Sequence, residues 1–279
     1  MMNEIPPPFR PLPRKLWRDG AASEGDRAVA EEVPVAFSYD NAAHAVMMAT
    51  PADLEDFAVG FSLTEGVVTH AAEISELEIV GVPAGVNLRM WLTGGPSDAF
   101  AARRRRYAGP AGCGMCGLET LAEANRAVPV VTSGLRVSSG DVAAAVAALP
   151  ALQALNMRTR AVHAAAFWQR GHELVAREDV GRHNALDKLA GALARAGRSA
   201  ARGMVVMSSR ISIELVQKAA MIGAPVLVAV SAPTALAVRI AENAGITLVG
   251  IARGDGFEVF SHPERVVLDA SAAEVHDVA

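Results

Sequence analysis

Short apolar segments alternate with amphipathic, glycine-terminated segments from about residue 161 onward, and this order limits the possible folds more than any other feature of the chain. A short apolar run between turn residues is typical of a buried strand, and the segments between the runs have the period of a helix. Repeated strand-helix-strand units place successive strands parallel, with right-handed crossovers. The predicted strands are 204–207, 226–230 and 246–250, and the predicted helices between them are 212–222 and 233–244. This half is therefore predicted to be a layered α/β domain.

A hairpin and a long helix are predicted just before these units. Residues 161–168 and 173–176 are two largely apolar stretches around Arg170-Gly171, a pattern typical of a hairpin. Residues 181–196 follow with Ala185, Leu186, Leu189 and Leu193 at helical spacing.

The first third of the chain has an α+β pattern. Alternating apolar residues predict one hairpin at 33–49 and a second at 74–92. Between them, Thr50 and Pro51 have the residue types of an N-cap and a first helical residue, and Gly66 is expected to end that helix.

Five parts follow from these patterns. Residues 1–30 are rich in proline, arginine and glycine, and we expect them to have no fixed fold. The complete division is a lead-in at 1–30, an α+β domain at 31–100, a mobile Arg- and Gly-rich loop at 101–117, a helical connection at 118–160 and an α/β domain at 161–279.

Composition and charge exclude several classes of protein. Hydrophobic residues make up 51% of the 279 residues, which excludes disorder of the whole chain. The net charge of −4 supplies no general attraction for nucleic acid. Residues 219–238 carry no charge, but Gly223 and Pro225 interrupt them, so we predict a buried strand and a helix start rather than a membrane span. The N-terminus has no apolar leader segment, and we expect a reducing cytoplasm.

A ligand site is predicted beyond the carboxyl ends of the parallel strands, where ligands collect in sheets of this kind. Three turns follow strands there, at 208–210, 231–234 and 251–256. Arg210, Arg253, the flexible backbone at Gly254 and the carboxylate of Asp255 suit a phosphate or a guanine-type base. Taken singly, each turn is also compatible with an ordinary turn or helix cap.

Histidines mark two further candidates. The segment 178–183 places two acids, an arginine and His183 at a strand-to-helix turn, where Asp179 is either a helix cap or part of a ligand site. His163 lies in an apolar strand, and a hydrogen-bonded core histidine is the expected interpretation there.

Cys113 and Cys116, separated by Gly-Met, carry the strongest chemical signal. The surrounding glycines allow the backbone to bend, and the four arginines at 103–106 would lower the pKa of a nearby thiol. A thiolate is the nucleophile in sulfur exchange. Half of a zinc site and a thioredoxin-like redox pair remain alternatives.

With these segments in order, the chain resembles the formate dehydrogenase accessory sulfurtransferases, the FdhD family, from about residue 31 to residue 260. The matching segments are DFAVGF at 56–61, EG at 65–66, GCGMCG at 112–117, VHAAA at 162–166, EDVGRHNALDK at 178–188, SRIS at 209–212, EL at 214–215, SAPT at 231–234 and GITL at 245–248.

The resemblance implies a cytoplasmic sulfur carrier. A cysteine desulfurase would pass a persulfide to the Cys-x-x-Cys motif, with Cys113 bearing the sulfur and Cys116 relaying or releasing it. The acceptor would be a molybdenum bis-molybdopterin guanine dinucleotide cofactor destined for formate dehydrogenase, without tightly bound zinc. The resemblance also implies a cytidine deaminase-like, three-layer C-terminal domain and a homodimer. The implied cofactor contacts are Ile251, Ala252, Arg253, Gly254, Asp255 and Gly256.

Two alternatives belong to other functional classes. A zinc deaminase needs His-x-Glu followed by Pro-Cys-x-x-Cys, whereas Ala164 and Ala165 follow His163 and the cysteine motif precedes it. A cofactor chaperone that binds the molybdenum cofactor without moving sulfur has the same sequence features and is separated only by experiment.

Overall fold

The structure is a computed structural model that describes residues 4–94 and 128–268. The predicted loop at 101–117, including Cys113 and Cys116, lies outside the described residues. The start of the predicted connection and the chain beyond residue 268 also lie outside them.

The expectation of a lead-in without a fixed fold at 1–30 is wrong. Strands β1 (Phe9–Arg18) and β2 (Ala21–Ala30) form an antiparallel two-stranded ribbon. Asp19 and Gly20 connect the strands, and both have positive φ, as the tightest hairpin turns require.

Prolines in β1 are compatible with this ribbon because of the pairing register. Glu31 N donates to Pro8 O at 2.9 Å, so even-numbered residues of β1 face β2 with their backbone groups. Pro11 and Pro13 therefore turn their nitrogens to the outer edge, where no donor is needed.

The N-terminal half also contains a four-stranded sheet with one covering helix. Its strands are β3 (Val33–Tyr39), β4 (Ala42–Ala49), β5 (Ile74–Val82) and β6 (Gly85–Leu92), in the order β4-β3-β6-β5. Antiparallel pairing of β3 with β4 and of β5 with β6 confirms both predicted hairpins. Helix α1 (Leu54–Thr64) packs on the sheet, and the Phe37 ring lies 5.0 Å from that of Phe57 and 4.1 Å from that of Phe61.

Thr50 does not cap helix α1, contrary to the prediction. The helix begins after Asp53, whose φ of 53° is left-handed and whose side chain makes no cap bond. Thr50 contacts the second half of the chain instead: its N–H donates to Asp179 Oδ2 at 3.0 Å, and its hydroxyl accepts from Val180 N at 3.1 Å. A buried tertiary contact has replaced the local cap.

The described part of the predicted connection at 118–160 belongs to the layers of the second half. It forms β7 (Val137–Ser138), α2 (Ser139–Leu152) and α3 (Ala154–Thr159). Ser138 caps α2 in a capping box with Asp141. The apolar side chains of Val142, Ala145 and Leu149 are buried against the six-stranded sheet of strands β8 to β13 described next, here called the main sheet. The helix is therefore a layer of the second half rather than a linker.

A six-stranded mixed sheet organises the second half. Its strands are β8 (His163–Trp168), β9 (Val175–Asp179), β10 (Met204–Met207), β11 (Val226–Ala229), β12 (Thr247–Arg253) and β13 (Gly256–Ser261), in the order β13-β12-β11-β10-β8-β9. Strands β10, β11 and β12 are parallel, as predicted, and β8 and β9 form the predicted hairpin. A short strand, β14 (Val266–Val267), pairs with β7.

Helices cover both faces of this sheet. Helices α4 (Arg182–Arg195), α5 (Ile213–Met221) and α6 (Ala235–Ala244) bury their apolar faces on one side. Helix α2 packs on the other side. The α/β class is thereby confirmed.

Helices α1 and α4 join the two halves by crossing at glycines. A Cβ added to Gly60 would lie 1.7 Å from Asp187 O, and one added to Gly191 would lie 1.9 Å from Asp56 O. No side chain fits at either position, so the two glycines permit the close approach of the two backbones.

Ion pairs surround this crossing. The buried Lys188 Nζ lies 2.6 Å from Asp179 Oδ2, and Lys218 Nζ lies 2.9 Å from Asp187 Oδ1. Asp56 accepts from two arginines, Arg177 Nε at 2.7 Å and Arg195 Nη1 at 2.6 Å.

Candidate functional site

A cavity of about 590 Å³ opens at the carboxyl edge of the main sheet. Ser208, Val230 and Arg253 bring the ends of β10, β11 and β12 to it, because the carboxyl ends of parallel strands meet at one edge. Helix α2 forms an apolar wall that includes Val146 and Leu149. The remaining lining residues are Ala143, Ala147, Pro150, Gln153, Asn156, Val162, His163, Ala252 and Gly254.

The predicted cofactor contacts divide into two groups. Ala252, Arg253 and Gly254 line the cavity. Ile251, Asp255 and Gly256 do not line it; Asp255 and Gly256 are exposed at the turn between β12 and β13.

Ile251 has a backbone conformation that β-branched residues rarely adopt, with φ of 53°. It lies in an irregular stretch of β12, where the register with β13 shifts between Gly250 and Arg253. Ile251 N donates to Ser231 O at 3.2 Å, which holds the distortion in place. A bulge of this kind changes the direction of the residues that follow, here the three that line the cavity.

His163 faces the cavity rather than the core. Its side chain is half-buried, and it has no hydrogen-bond partner among residues 4–94 and 128–268, in contrast to the expected bonded core histidine. Burial lowers the pKa of His163, and the nearby charges of Arg182 and His183 lower it further.

His183 is not a solvent-facing residue of the first helical turn. Its ring is 15% exposed, and its Nε2 lies 3.7 Å from Glu214 Oε2 on α5. Asp179 does not cap α4 either, because its Oδ1 accepts from Gly181 N and from Asn184 Nδ2 instead. Thr234, by contrast, is an ordinary cap, since its hydroxyl accepts from Ala237 N.

Cations at this edge lack carboxylate partners. In the described part of the chain, Arg182, Arg210 and Arg253 form no ion pair, and Arg182 Nε is buried without a hydrogen bond. The cations at the α1–α4 crossing are all paired with carboxylates. Of these three arginines, only Arg253 lines the cavity, and an unpaired guanidinium there favours an anionic ligand.

Sequence reasoning missed the polar residues Gln153 and Asn156, which line the cavity from the α2–α3 region. The sequence predicts a helical connection at 118–160, but nothing local indicates which sheet its helices cover.

Neither a metal-binding cluster nor a membrane-spanning helix occurs in the described residues. No group of three or more His, Cys, Asp or Glu side chains is arranged to hold a metal ion within 4–94 and 128–268. Over the same residues, every helix is too short or too polar to cross a bilayer.

We expect the Glu214→Gln variant to lose less stability than the wild type on acidification between about pH 4.5 and pH 2. His183 lowers the pKa of Glu214 to about 2 in the folded protein, against the opposing effect of burial. The unfolded chain therefore takes up a proton first as the pH falls, and the wild type loses the stabilising pair. Urea unfolding at several pH values measures this, with the exposed Glu24→Gln as control. Parallel pH profiles for Glu214→Gln and wild type would contradict the assignment.

Comparison with known proteins is consistent with this architecture. The profile of the FdhD/NarQ family matches residues 30–267. A protein named sulfur carrier protein FdhD from Agrobacterium fabrum is 53% identical over 262 residues, covering 93% of this chain and 97% of its own. A protein of the same name from Cupriavidus necator is 48% identical over 273 residues, covering 96% and 93%.

A solved structure has the same fold. It is described as that of a formate dehydrogenase accessory protein from Desulfotalea psychrophila, with a TM-score of 0.73 and 26% identity, and the match covers 94% of this chain and all of that one. With the family profile spanning most of its length and relatives of about half identical sequence, the chain belongs to the FdhD/NarQ family.

Proposed function

We propose that this protein carries sulfur as a persulfide on Cys113, from a cysteine desulfurase to a guanylated molybdopterin cofactor that binds in the carboxyl-edge cavity. The cavity at the strand ends, lined by Arg253, which has no carboxylate partner among the described residues, is the observation that carries the proposal. The relatives named sulfur carrier proteins support the sulfur-transfer part.

The cavity suits part of a dinucleotide cofactor in size and chemistry. Its volume of about 590 Å³ is typical of ligand pockets, which span roughly 300–1,000 Å³. The α2 wall offers an apolar surface to a planar ring, and Ser208 and Asn156 are available as hydrogen-bonding groups. Arg253 supplies positive charge for a phosphate.

Transfer of sulfur to this protein requires an attacking thiolate on this chain and a thiolate that leaves from the desulfurase. The Cys113 thiolate would attack the terminal sulfur of a desulfurase persulfide, forming a new S–S bond on Cys113 while the desulfurase cysteine leaves as its thiolate. For release, the Cys116 thiolate would attack Cys113 Sγ and break the persulfide S–S bond, so that a Cys113–Cys116 disulfide forms and the outer sulfur leaves as sulfide. The bound cofactor, as substrate, would accept that sulfide, and a cellular thiol reductant would restore the two cysteines. Formate dehydrogenase would be the recipient of the cofactor, and this protein would act as a homodimer in the cytoplasm.

We expect incubation with a cysteine desulfurase and cysteine to add about 32 Da, the mass of one sulfur atom, to the wild type. Cys113→Ala should abolish this adduct, because it removes the attacking thiol. Cys116→Ala should retain it, since the second cysteine is needed only for release. Intact-protein mass spectrometry before and after reduction measures the adduct.

A chaperone without sulfur transfer predicts a different result. The wild type would then bind a guanine nucleotide but acquire no adduct. An adduct that persists in Cys113→Ala and disappears in Cys116→Ala would instead reverse the roles of the two cysteines.

A further inference from the structure

The ribbon of β1 and β2 extends from the rest of the protein with little to support it. Strands of ten residues place its turn at Asp19-Gly20 about 30 Å from its base at Phe9 and Ala30. From residue 10 to residue 27, every residue except Leu16 is exposed. A two-stranded hairpin without packing partners is only marginally stable in water. We therefore expect another surface to cover this ribbon in solution.

The tip of the ribbon, residues 16–22, has the residue types of a binding surface. Trp17 is 72% exposed, and Leu12 and Val29 lower on the ribbon are exposed as well. Arg18, next to Trp17, forms no ion pair within 4–94 and 128–268. Tryptophan and arginine are the residues that most often supply binding energy at protein interfaces. The tip is therefore suited to a partner that offers an apolar wall and a carboxylate.

A second cavity, of about 550 Å³ and here called the α1 hollow, lies at the other end of the ribbon. Ile5, Leu54 at the start of α1 and Ile79 of β5 give it an apolar wall. Ile5 precedes Phe9 by four residues, so the hollow lies within about 14 Å of the ribbon base. The tip of the same ribbon points away from it, which leaves the hollow open to another molecule.

Carboxylates outnumber cations in the α1 hollow. Asp53, Glu55 and Asp56 line it together with Arg177 and Arg195. Asp56 accepts from both arginines, and Glu55 pairs with Arg195. The side chain of Asp53 lies 3.6 Å from Arg177 Nε and accepts no hydrogen bond from any described residue, and it is 40% exposed. One further guanidinium would give Asp53 a full partner and balance the charge of the hollow.

We propose that two copies of this chain exchange their ribbons, so that the tip of each ribbon binds in the α1 hollow of the other copy. Arg18 of one copy pairs with Asp53 of the other, and Trp17 packs on the apolar wall of the hollow. The inference rests on the homodimer included in the function proposed above and adds the surfaces that form it.

Two-fold symmetry closes this arrangement. Because the tip and the hollow lie at opposite ends of one ribbon, two ribbons that run antiparallel bring each tip to the base of the other. The same contact then occurs twice, and no binding surface is left for a third copy. Two ribbon faces of about 30 Å by 10 Å, each covered by an equal area of the other copy, bury about 1,200 Å² in total, the lower end of the range for stable interfaces.

A charge exchange between the two surfaces tests the contact. Arg18→Asp places two carboxylates at each contact, and Asp53→Arg places two guanidinium groups there. Each variant alone should have a dimer dissociation constant at least about a hundredfold above that of the wild type, because like charges meet twice per dimer. An equimolar mixture of the two variants should form heterodimers, since both of its contacts again join opposite charges. Sedimentation equilibrium of each protein and of the mixture measures this.

Matched variants separate the contact from general effects of charge and folding. Arg239→Asp reverses an exposed arginine of α6 that has no ion pair in the described structure, and it should dimerise as the wild type does. Asp53→Asn removes the carboxylate but keeps a residue type that tolerates the left-handed φ of 53°, and it should weaken the dimer about tenfold. Trp17→Ala should weaken it at least about a hundredfold. Circular dichroism shows whether each variant is folded.

The outcomes distinguish this inference from the proposed function. If Arg18→Asp, Asp53→Asn and Trp17→Ala all dimerise as the wild type does, the ribbon exchange is wrong and the homodimer stands. A mixture of folded Arg18→Asp and Asp53→Arg proteins that stays monomeric would also overturn the exchange. A wild type that is monomeric at every concentration would overturn the homodimer and this inference together. The sulfur adduct on Cys113 is measured separately, so its loss would overturn sulfur transfer without affecting the ribbon exchange.

Discussion

Replacing Lys188 with methionine is expected to destabilise the protein by about 3–5 kcal/mol, a large part of the total for a typical domain. Lys188 is fully buried and lies 2.6 Å from the equally buried Asp179, and its Nζ also donates to Thr50 O at 2.9 Å. Methionine fills a similar volume but leaves the carboxylate without its cation. Urea unfolding monitored by circular dichroism measures the loss.

Two further variants make this prediction specific. In the Asp179→Asn/Lys188→Met double variant both charges are gone, and we expect part of the stability to return, because the unpaired buried charge has been removed. Lys15→Met removes an exposed cation 3.4 Å from Glu24, and it should change stability little. A Lys188→Met protein as stable as wild type would show that the buried pair contributes nothing.

Replacing Gly60 with alanine is expected to cost about 3 kcal/mol or more, although alanine is the better helix former by about 1 kcal/mol. The new Cβ would lie 1.7 Å from Asp187 O, a backbone atom that cannot move without displacing α4. The clash outweighs the gain in helix propensity. A loss of stability would therefore show that helices α1 and α4 cross as closely as described. Thermal unfolding of the single variant measures it.

Gly134→Ala is the matched control, because a Cβ there meets nothing within 4 Å and the residue has no positive φ. We expect it to be as stable as the wild type or slightly more stable. If Gly60→Ala were also stabilising, helices α1 and α4 would have to be farther apart than described.

The local sequence pattern was sufficient to predict the strands and helices of the second half. The predicted strand at 204–207 coincides with β10, and the helix predicted at 181–196 corresponds to α4. The spacing of apolar residues and the glycines that end helices are local features of the sequence. In a buried parallel sheet, tertiary contacts seldom change the secondary structure that these features predict.

Composition does not indicate the ribbon at residues 9–30, whereas its turn chemistry does. Asp19-Gly20 is the dipeptide most typical of a tight hairpin turn, and it stands between two stretches of equal length. The prolines suggested disorder, yet Pro11 and Pro13 occupy outward-facing positions that need no donor.

The candidate site was predictable in part. Strand order alone indicated the carboxyl edge, and Ala252, Arg253 and Gly254 do line a cavity there. The wall formed by α2 was not predictable, because nothing in its sequence specifies which face of which sheet it covers. The position of His163 at the cavity depends on the same packing.

The chain by itself determined the order of strands and helices, the direction of the parallel strands and the presence of two cysteines in a glycine-rich segment, since each depends on residues close together in sequence. Only the tertiary structure decided which charges are paired. Lys188 pairs with Asp179, whereas Arg182, at the start of α4, has no carboxylate partner among the described residues. The physical reason is that pairing depends on where distant segments pack, and burial then makes each paired or unpaired charge energetically important.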